Sequence, residues 1–257
     1  MSMKKKIYEL IEMKRNEKIA VLTCYDYSFA KAMDGQVDVL LVGDSLGNVI
    51  YGYDRTKEVT MDDLIKHVSA VKKGANNTFI IADMPYGSYE NKKEALNNAQ
   101  KLILAGADAV KPEGEPEIIE FLVKNNVNVV GHVGLLPQTA SKLGVVGRDE
   151  NESENIFSLS KNIEKAGAFM IVLESIPLTL SLKITEELKI PTIGIGAGNV
   201  CDGQVLVLYD LLGLYPNFEP KFVRKYLNLK EDVKKAVSAY TSDVKKGKFP
   251  SKKESFE

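Results

Sequence analysis

The chain is poor in the residues that soft-metal and disulfide chemistry require. Its two histidines, His67 and His132, are too few for a multi-histidine zinc site. Its two cysteines, Cys24 and Cys201, lie far apart in no metal-ligating spacing and read as buried free thiols of a reducing compartment. A formal net charge of -1 provides no basic excess for nucleic acid or an anionic membrane surface. No apolar run approaches the ~20 residues that a membrane helix requires. The opening MSMKKKIYELIEMKRN carries lysines but no apolar core, so it is not expected to act as a signal peptide. Together these absences point to a cytoplasmic protein with neither a nucleic-acid nor a membrane partner.

What is present is a repeated pattern. In VDVLLVGDSLGN, residues 37–48, four apolar residues stop at Gly43, and Asp44 and Ser45 follow at once. A continuous apolar run suits a parallel strand covered on both faces. Polar groups just past its C-terminal end stand where open sheets and barrels hold ligands. The pattern recurs in FIIADMP with Asp83, in AVKPEG with Lys111 and Glu113, and in FMIVLES with Glu174. A lone Asp after a strand is often the N-cap of the next helix. Caps favour Asp and Ser, however, and two of these four acids are Glu.

The periodicity predicts strands over 19–26, 37–45, 79–83, 109–113, 128–134, 169–174, 191–195 and 204–209. Helical patterns alternate with them: a short one around Tyr8, Ile11 and Met13, then 28–33, 60–73, 91–105, 117–124, 152–166 and 177–188. Thr60 and Asp63 form an approximate capping box, and Pro116 stands at a helix start. His67, on the 60–73 helix, reads as a packing residue. The segment 48–59 is expected to be irregular, either a lid at the active end or a structural excursion. Helices are expected at 222–227 and 231–245 before a polar end. Eight strands alternating with helices imply a parallel sheet with right-handed crossovers, closed as a (β/α)8 TIM barrel. All 257 residues are assigned to that single barrel domain, with an N-terminal helix and a C-terminal helical tail. An open doubly wound sheet is the rival, but its glycine-rich first turn is missing from TCYDYSF. GIGAGN, residues 194–199, is read as a tight barrel turn, with a phosphate site as its rival.

In a barrel, Asp44, Asp83 and Glu113 would converge on one cavity. Oxygen ligands without His or Cys suit a hard cation, Mg2+ above all. A 2-oxo acid chelated there through its carboxylate and keto oxygen would have a more acidic neighbouring C–H. Glu174, following four apolar residues, is the expected general base, its pKa raised by burial. Lys111 would pair with the substrate carboxylate. A Schiff-base lysine and a salt bridge closing the barrel interior are the alternatives.

LVGDSLGN, ADMPYGSY, GHVGLLPQ, VLESIP, IGIGAGN and DGQVLVLYD together resemble the 3-methyl-2-oxobutanoate (ketopantoate) hydroxymethyltransferase family, over nearly the whole chain. The resemblance implies a barrel related to the phosphoenolpyruvate/pyruvate superfamily, pantothenate synthesis, and methylene-tetrahydrofolate as one-carbon donor. It implies Asp44, Asp83 and Glu113 as metal-site acids, and Ser45 and Lys111 as oxo-acid contacts beside Asp44 and Asp83. Glu174 would be the proton acceptor and His132 a pocket residue. A large homo-oligomer, commonly a decamer, is also implied. The chain departs from the family at KPEGE, where KxEGG is usual, and at Tyr53, where His is usual. The loop after His132 is shorter, and the ending is ESFE. Pro112 is expected to remove a ladder donor inside a strand and to shift Lys111 or Glu113. Two other readings remain open here: a C–C lyase of the same superfamily, and a barrel that binds a small anion without catalysis.

Overall fold

The computed structural model describes residues 4–215 and 220–256. The first three residues of the lysine-bearing N-terminus and the last Glu of the ESFE ending lie outside them. The chain divides into two compact units, Met1–Val207 and Leu208–Glu257.

The first unit begins with α1 (Ile7–Glu12) and β1 (Ile19–Thr23). It then alternates through α2 (Tyr27–Met33), β2 (Val39–Val42), α3 (Met61–Gly74), β3 (Phe79–Asp83) and α4 (Lys92–Ala105). β4 (Ala109–Lys111), α5 (Pro116–Lys124), β5 (Val130–Gly134), α6 (Glu150–Lys165) and β6 (Met170–Glu174) follow. α7 (Leu178–Glu187), β7 (Thr192–Ile195) and β8 (Gly203–Leu206) complete the unit. The sheet runs β4-β3-β2-β1-β8-β7-β6-β5, and every ladder in it is parallel. Its two ends approach each other at a bridge between Val110 and Val129, so eight strands form a nearly closed (β/α)8 barrel.

Strand side chains alternate between faces, so every second residue points into the barrel. The buried interior holds Ile19 and Val21, Val39 and Leu41, Phe79 and Ile81, Ala109, Val130, Met170 and Val172, Ile193 and Val205. From α1, Leu10 and Met13 join this cluster. Lys4–Asp108 and Lys5–Asp38 ion pairs hold the residues before α1 in place. The Lys14 ammonium, 2.7 Å from Asp202, holds those after it.

Several boundaries differ from the sequence reading. β1 stops at Thr23, and Asp26 caps α2 by accepting from the Phe29 N–H. The segment 48–59 is ordered: a π-helical turn, Gly47–Tyr51, is followed by a 3₁₀ turn, Thr56–Glu58. The Tyr51 hydroxyl lies 3.0 Å from His67 Nε2, whose other ring nitrogen is 2.5 Å from the Tyr25 carbonyl oxygen. The Thr60–Asp63 capping box is present at the start of α3.

β4 ends at Lys111, so Pro112 stands just beyond the strand rather than inside it. The Val110 N–H donates to the Asn128 carbonyl and the Gly114 N–H to the His132 carbonyl. The register places a Pro112-to-Val130 rung midway between them, and proline has no N–H to form it. The missing donor is therefore real, and it explains the weak seam between β4 and β5.

The second unit contains α8 (Leu208–Leu211) and α9 (Leu229–Lys245). The strand expected over 204–209 therefore ends early, and Asp210 lies in a helix. Residues 222–227 run as irregular chain rather than the expected helix. Tyr226 N–H donates to the Leu211 carbonyl and Leu229 N–H to that of Leu212, which diverts donors from a local helix. Among the described residues, no helix is long and apolar enough to cross a membrane.

Candidate active site

The alternation that fills the barrel also places the chemistry. Asp83 is two residues beyond Ile81, Lys111 two beyond Ala109, His132 two beyond Val130, and Glu174 two beyond Val172. Each therefore points inward, as the layer above the apolar core. Asp83 and Lys111 are register partners, as are Gly134 and Glu174. Asp44, Ser45 and Glu113 follow their strands at the same end.

The Lys111 ammonium lies 2.9 Å from Asp83 Oδ1 and is almost fully buried. Asp83 Oδ2 accepts from the Asp44 N–H at 3.0 Å. Burial opposes the Lys111 charge, but Asp83, Glu113 and Asp44 outweigh it and raise its pKa. The amine is held protonated, which argues against a Schiff-base role. Gly43 lets the chain pass between polar groups: a Cβ there would lie 2.9 Å from Ser45 Oγ and 3.4 Å from Asp83 Oδ2. Ser45 Oγ is 2.9 Å from the hydroxyl of Tyr25, a buried residue that sequence reasoning did not single out.

His132 links the two sides of the cavity. Its Nδ1 is 3.5 Å from Lys111 Nζ and 3.6 Å from Glu113 Oε1, and its Nε2 is 3.2 Å from Glu174 Oε2. Burial, reinforced by the Lys111 charge, lowers the His132 pKa well below its usual value, so the ring is neutral. Glu174 keeps 20% of its side chain accessible, the most open of these groups. Burial nevertheless pushes its carboxyl up to about 7, with Lys111 opposing and Asp83 assisting the shift. Gly134 adopts φ +97°, and a Cβ there would come within 2.2 Å of the Glu174 carbonyl oxygen. Only glycine lets β5 and β6 end so close together.

Gln138, from the loop after β5, was also missed. Its Nε2 donates to Asp44 Oδ2 at 2.8 Å and to the Met84 carbonyl at 2.9 Å. Its backbone N–H donates to Glu113 Oε2 at 3.2 Å. The quoted GHVGLLPQ motif contained it, but a lone Gln in a loop carries no chemical signal by spacing alone.

Four carboxylates, Asp44, Asp83, Glu113 and Glu174, face the single ammonium of Lys111. Burial first, then mutual repulsion, pushes Asp44 up to about 7 and Glu113 up to about 9. Asp83 Oδ1 is buried and lacks an aligned hydrogen bond. This excess of buried negative charge fits a hard dication. Among the described residues, no three His, Cys, Asp or Glu side chains are arranged to hold a metal ion by themselves. Glu113 is turned toward Gln138 and His132. Asp44 and Asp83 are the residues that could hold such an ion, because a hard dication such as Mg2+ takes much of its shell from water and substrate.

The other features have structural accounts. Gly196 and Gly198, at φ +63° and +82°, form the tight turn expected of GIGAGN. Cys24 and Cys201 are buried, and burial pushes the Cys24 thiol up to about 12, so it is inert at neutral pH.

A parallel barrel with convergent acids at its C-terminal strand ends has the plan of a barrel enzyme. The chain belongs to the ketopantoate hydroxymethyltransferase family, which matches residues 4–252. It is 48% identical to the 3-methyl-2-oxobutanoate hydroxymethyltransferase of Caldicellulosiruptor bescii, over 94% of this chain and 95% of that one. It is 47% identical to that of Thermotoga maritima, over 97% and 96% of the two chains. Solved structures with the same fold include 2,3-dimethylmalate lyase, a PEP mutase/isocitrate lyase superfamily member, at TM-score 0.62 and 15% identity over 97% of this chain and 91% of that one. Phosphonopyruvate hydrolase in complex with oxalate and Mg2+ aligns at TM-score 0.65 and 13% identity, over 99% and 93% of the chains.

Proposed function

We propose that this enzyme transfers the one-carbon unit of methylene-tetrahydrofolate to 3-methyl-2-oxobutanoate, giving 2-dehydropantoate for pantothenate synthesis. The family assignment supports the substrates. The observation that carries the mechanism is Glu174, partly buried at a β-strand end beside neutral His132 and across from Asp83 and Lys111.

Asp44 and Asp83 would hold Mg2+, with Glu113 as a third acid nearby. When bound, the ion would polarise the keto group of the oxo acid and make the neighbouring C–H more acidic. A relative of the same fold described with oxalate and Mg2+ supports this reading, because oxalate presents adjacent oxygens as a 2-oxo acid does. Lys111 offers a buried cation to the substrate carboxylate, and Ser45 a hydroxyl. Glu174 removes the C3 proton, and its raised pKa makes it a competent base near neutrality. C3 bonds to the methylene carbon as both of that carbon's C–N bonds to the folate break; water supplies the hydroxyl oxygen, its two protons go to the two folate nitrogens, and tetrahydrofolate leaves. The proton lost from C3 ends on the new hydroxyl group.

The protein acts in the cytoplasm as a homo-oligomer, a decamer by family resemblance. Exposed Val233, Val237, Tyr240 and Val244 on α9 support an assembly surface. The test is exchange of the oxo-acid C3 proton in D2O, with and without Mg2+. Metal-dependent exchange that is lost in Glu174→Gln supports the reading. No exchange under any condition would leave only an anion-binding barrel, and borohydride trapping of Lys111 would replace the metal role with a Schiff base.

A further inference from the structure

We propose that Gln138 is a positioning residue for the reaction: it fixes the orientation of Asp44 and ties the loop after β5 to the strand ends that carry the acids. The inference rests on the reading of Asp44 as a cation ligand.

The geometry leaves the Gln138 amide one orientation. It is buried, at 4% exposure. Its Nε2 faces two acceptors, Asp44 Oδ2 and the Met84 carbonyl. Its Oε1 accepts from the Tyr89 hydroxyl at 2.5 Å. Exchanging the amide oxygen and nitrogen would set an oxygen against two acceptors, so the network admits only the observed assignment. Tyr89 is itself fixed, because its oxygen accepts from the Glu113 N–H at 3.3 Å. The Gln138 backbone N–H closes the circuit on Glu113 Oε2. One residue thus connects the ends of β2 and β3 through its side chain and that of β4 through its backbone N–H, and it arrives from beyond β5.

A glutamine that only filled space or anchored a loop would need fewer of these bonds. Each partner here is either one of the acids of the site or a group that orients the amide. Partners of a ligating carboxylate set its direction, and their loss typically weakens metal affinity by about 10–100-fold.

The test is Mg2+ titration by calorimetry on the full-length protein with Mg2+ alone, together with kcat, KM for the oxo acid and thermal midpoints. Gln138→Met keeps the length and removes the amide. The expected result is about 10–100-fold weaker Mg2+ binding and a lower kcat in a folded protein. Tyr89→Phe leaves Gln138 in place but unlocks its amide, and a smaller loss in the same direction is expected. It also carries the test alone should Gln138→Met not fold. Unchanged Mg2+ affinity and kcat in a folded variant would overturn the inference and reduce Gln138 to a loop anchor. Absence of Mg2+ binding by the unmutated protein would overturn the cation reading itself, and this inference with it.

Discussion

His132 Nε2 lies 3.2 Å from Glu174 Oε2, while the Nδ1 of the same ring lies 3.5 Å from the Lys111 ammonium. An ammonium only donates, so the Lys111 contact favours the tautomer of the neutral imidazole that accepts at Nδ1 and carries its proton on Nε2, a buried nitrogen near Glu174 that makes no aligned hydrogen bond. The neutral ring stands between the Lys111 ammonium and the base. Replacing His132 with Phe should therefore slow C3 deuterium exchange by about 10–100-fold while sparing the fold. Glu174→Gln should cost about 10²–10⁴-fold, as loss of a positioned base does. Equal exchange rates in unmutated protein and Glu174→Gln would remove Glu174 from the mechanism.

The pH profile has a determined sign. A base works as its carboxylate, and Glu174 is pushed up to about 7. The exchange rate should thus rise with pH, with a midpoint near neutrality, and level off above it. A profile flat from about pH 5 to 9 would place the limiting ionisation elsewhere.

Stability should run the other way. Asp44, Glu113 and Glu174 have folded-state pKa values of about 7, 9 and 7, above their ordinary values of 3.8, 4.5 and 4.5. Between those limits the folded chain binds more protons than the unfolded chain, so stability falls as pH rises. Without metal, the thermal midpoint should drop from pH 5 to pH 9. Added Mg2+ should recover more of it at pH 9, where the acids are ionised, than at pH 5. Scanning calorimetry at the two pH values, with and without Mg2+, measures both effects.

Tyr25 supports Ser45 through a half-buried 2.9 Å hydroxyl contact. Tyr25→Phe keeps the ring and removes that partner, at a stability cost of about 1 kcal/mol. KM for the oxo acid should rise several-fold if Ser45 contacts it. An unchanged KM would confine the pair to packing.

Much of this arrangement could be read from residue order. Apolar runs ending in Asp83 and Glu174 gave away both the strands and the end at which they deliver acids. The inward direction of Asp83, Lys111, His132 and Glu174 also follows from parity with Ile81, Ala109, Val130 and Val172. Only the strand-end position, not that parity, entered the sequence reading. Contacts made across loops were less accessible. Nothing near Gln138 in sequence announces Asp44, which lies 94 residues away, because such a bond depends on how the loop after β5 folds back. The helix expected over 222–227 failed for a similar reason: its apolar spacing was compatible with a helix, but its Tyr226 donor is used by Leu211.

The absent rung at Pro112 has a mechanical consequence. A fully laddered ring resists distortion equally around its circumference, whereas this one has a compliant joint between β4 and β5. Lys111 and Glu113 stand on one side of that joint and His132 on the other. Adjustments as substrate enters and product leaves should concentrate there, with the eight strands held by the seven laddered joints as a rigid frame. Pro112→Ile, by supplying the missing donor, should stiffen the joint, slow amide exchange at Gly114 and trade turnover for heat resistance.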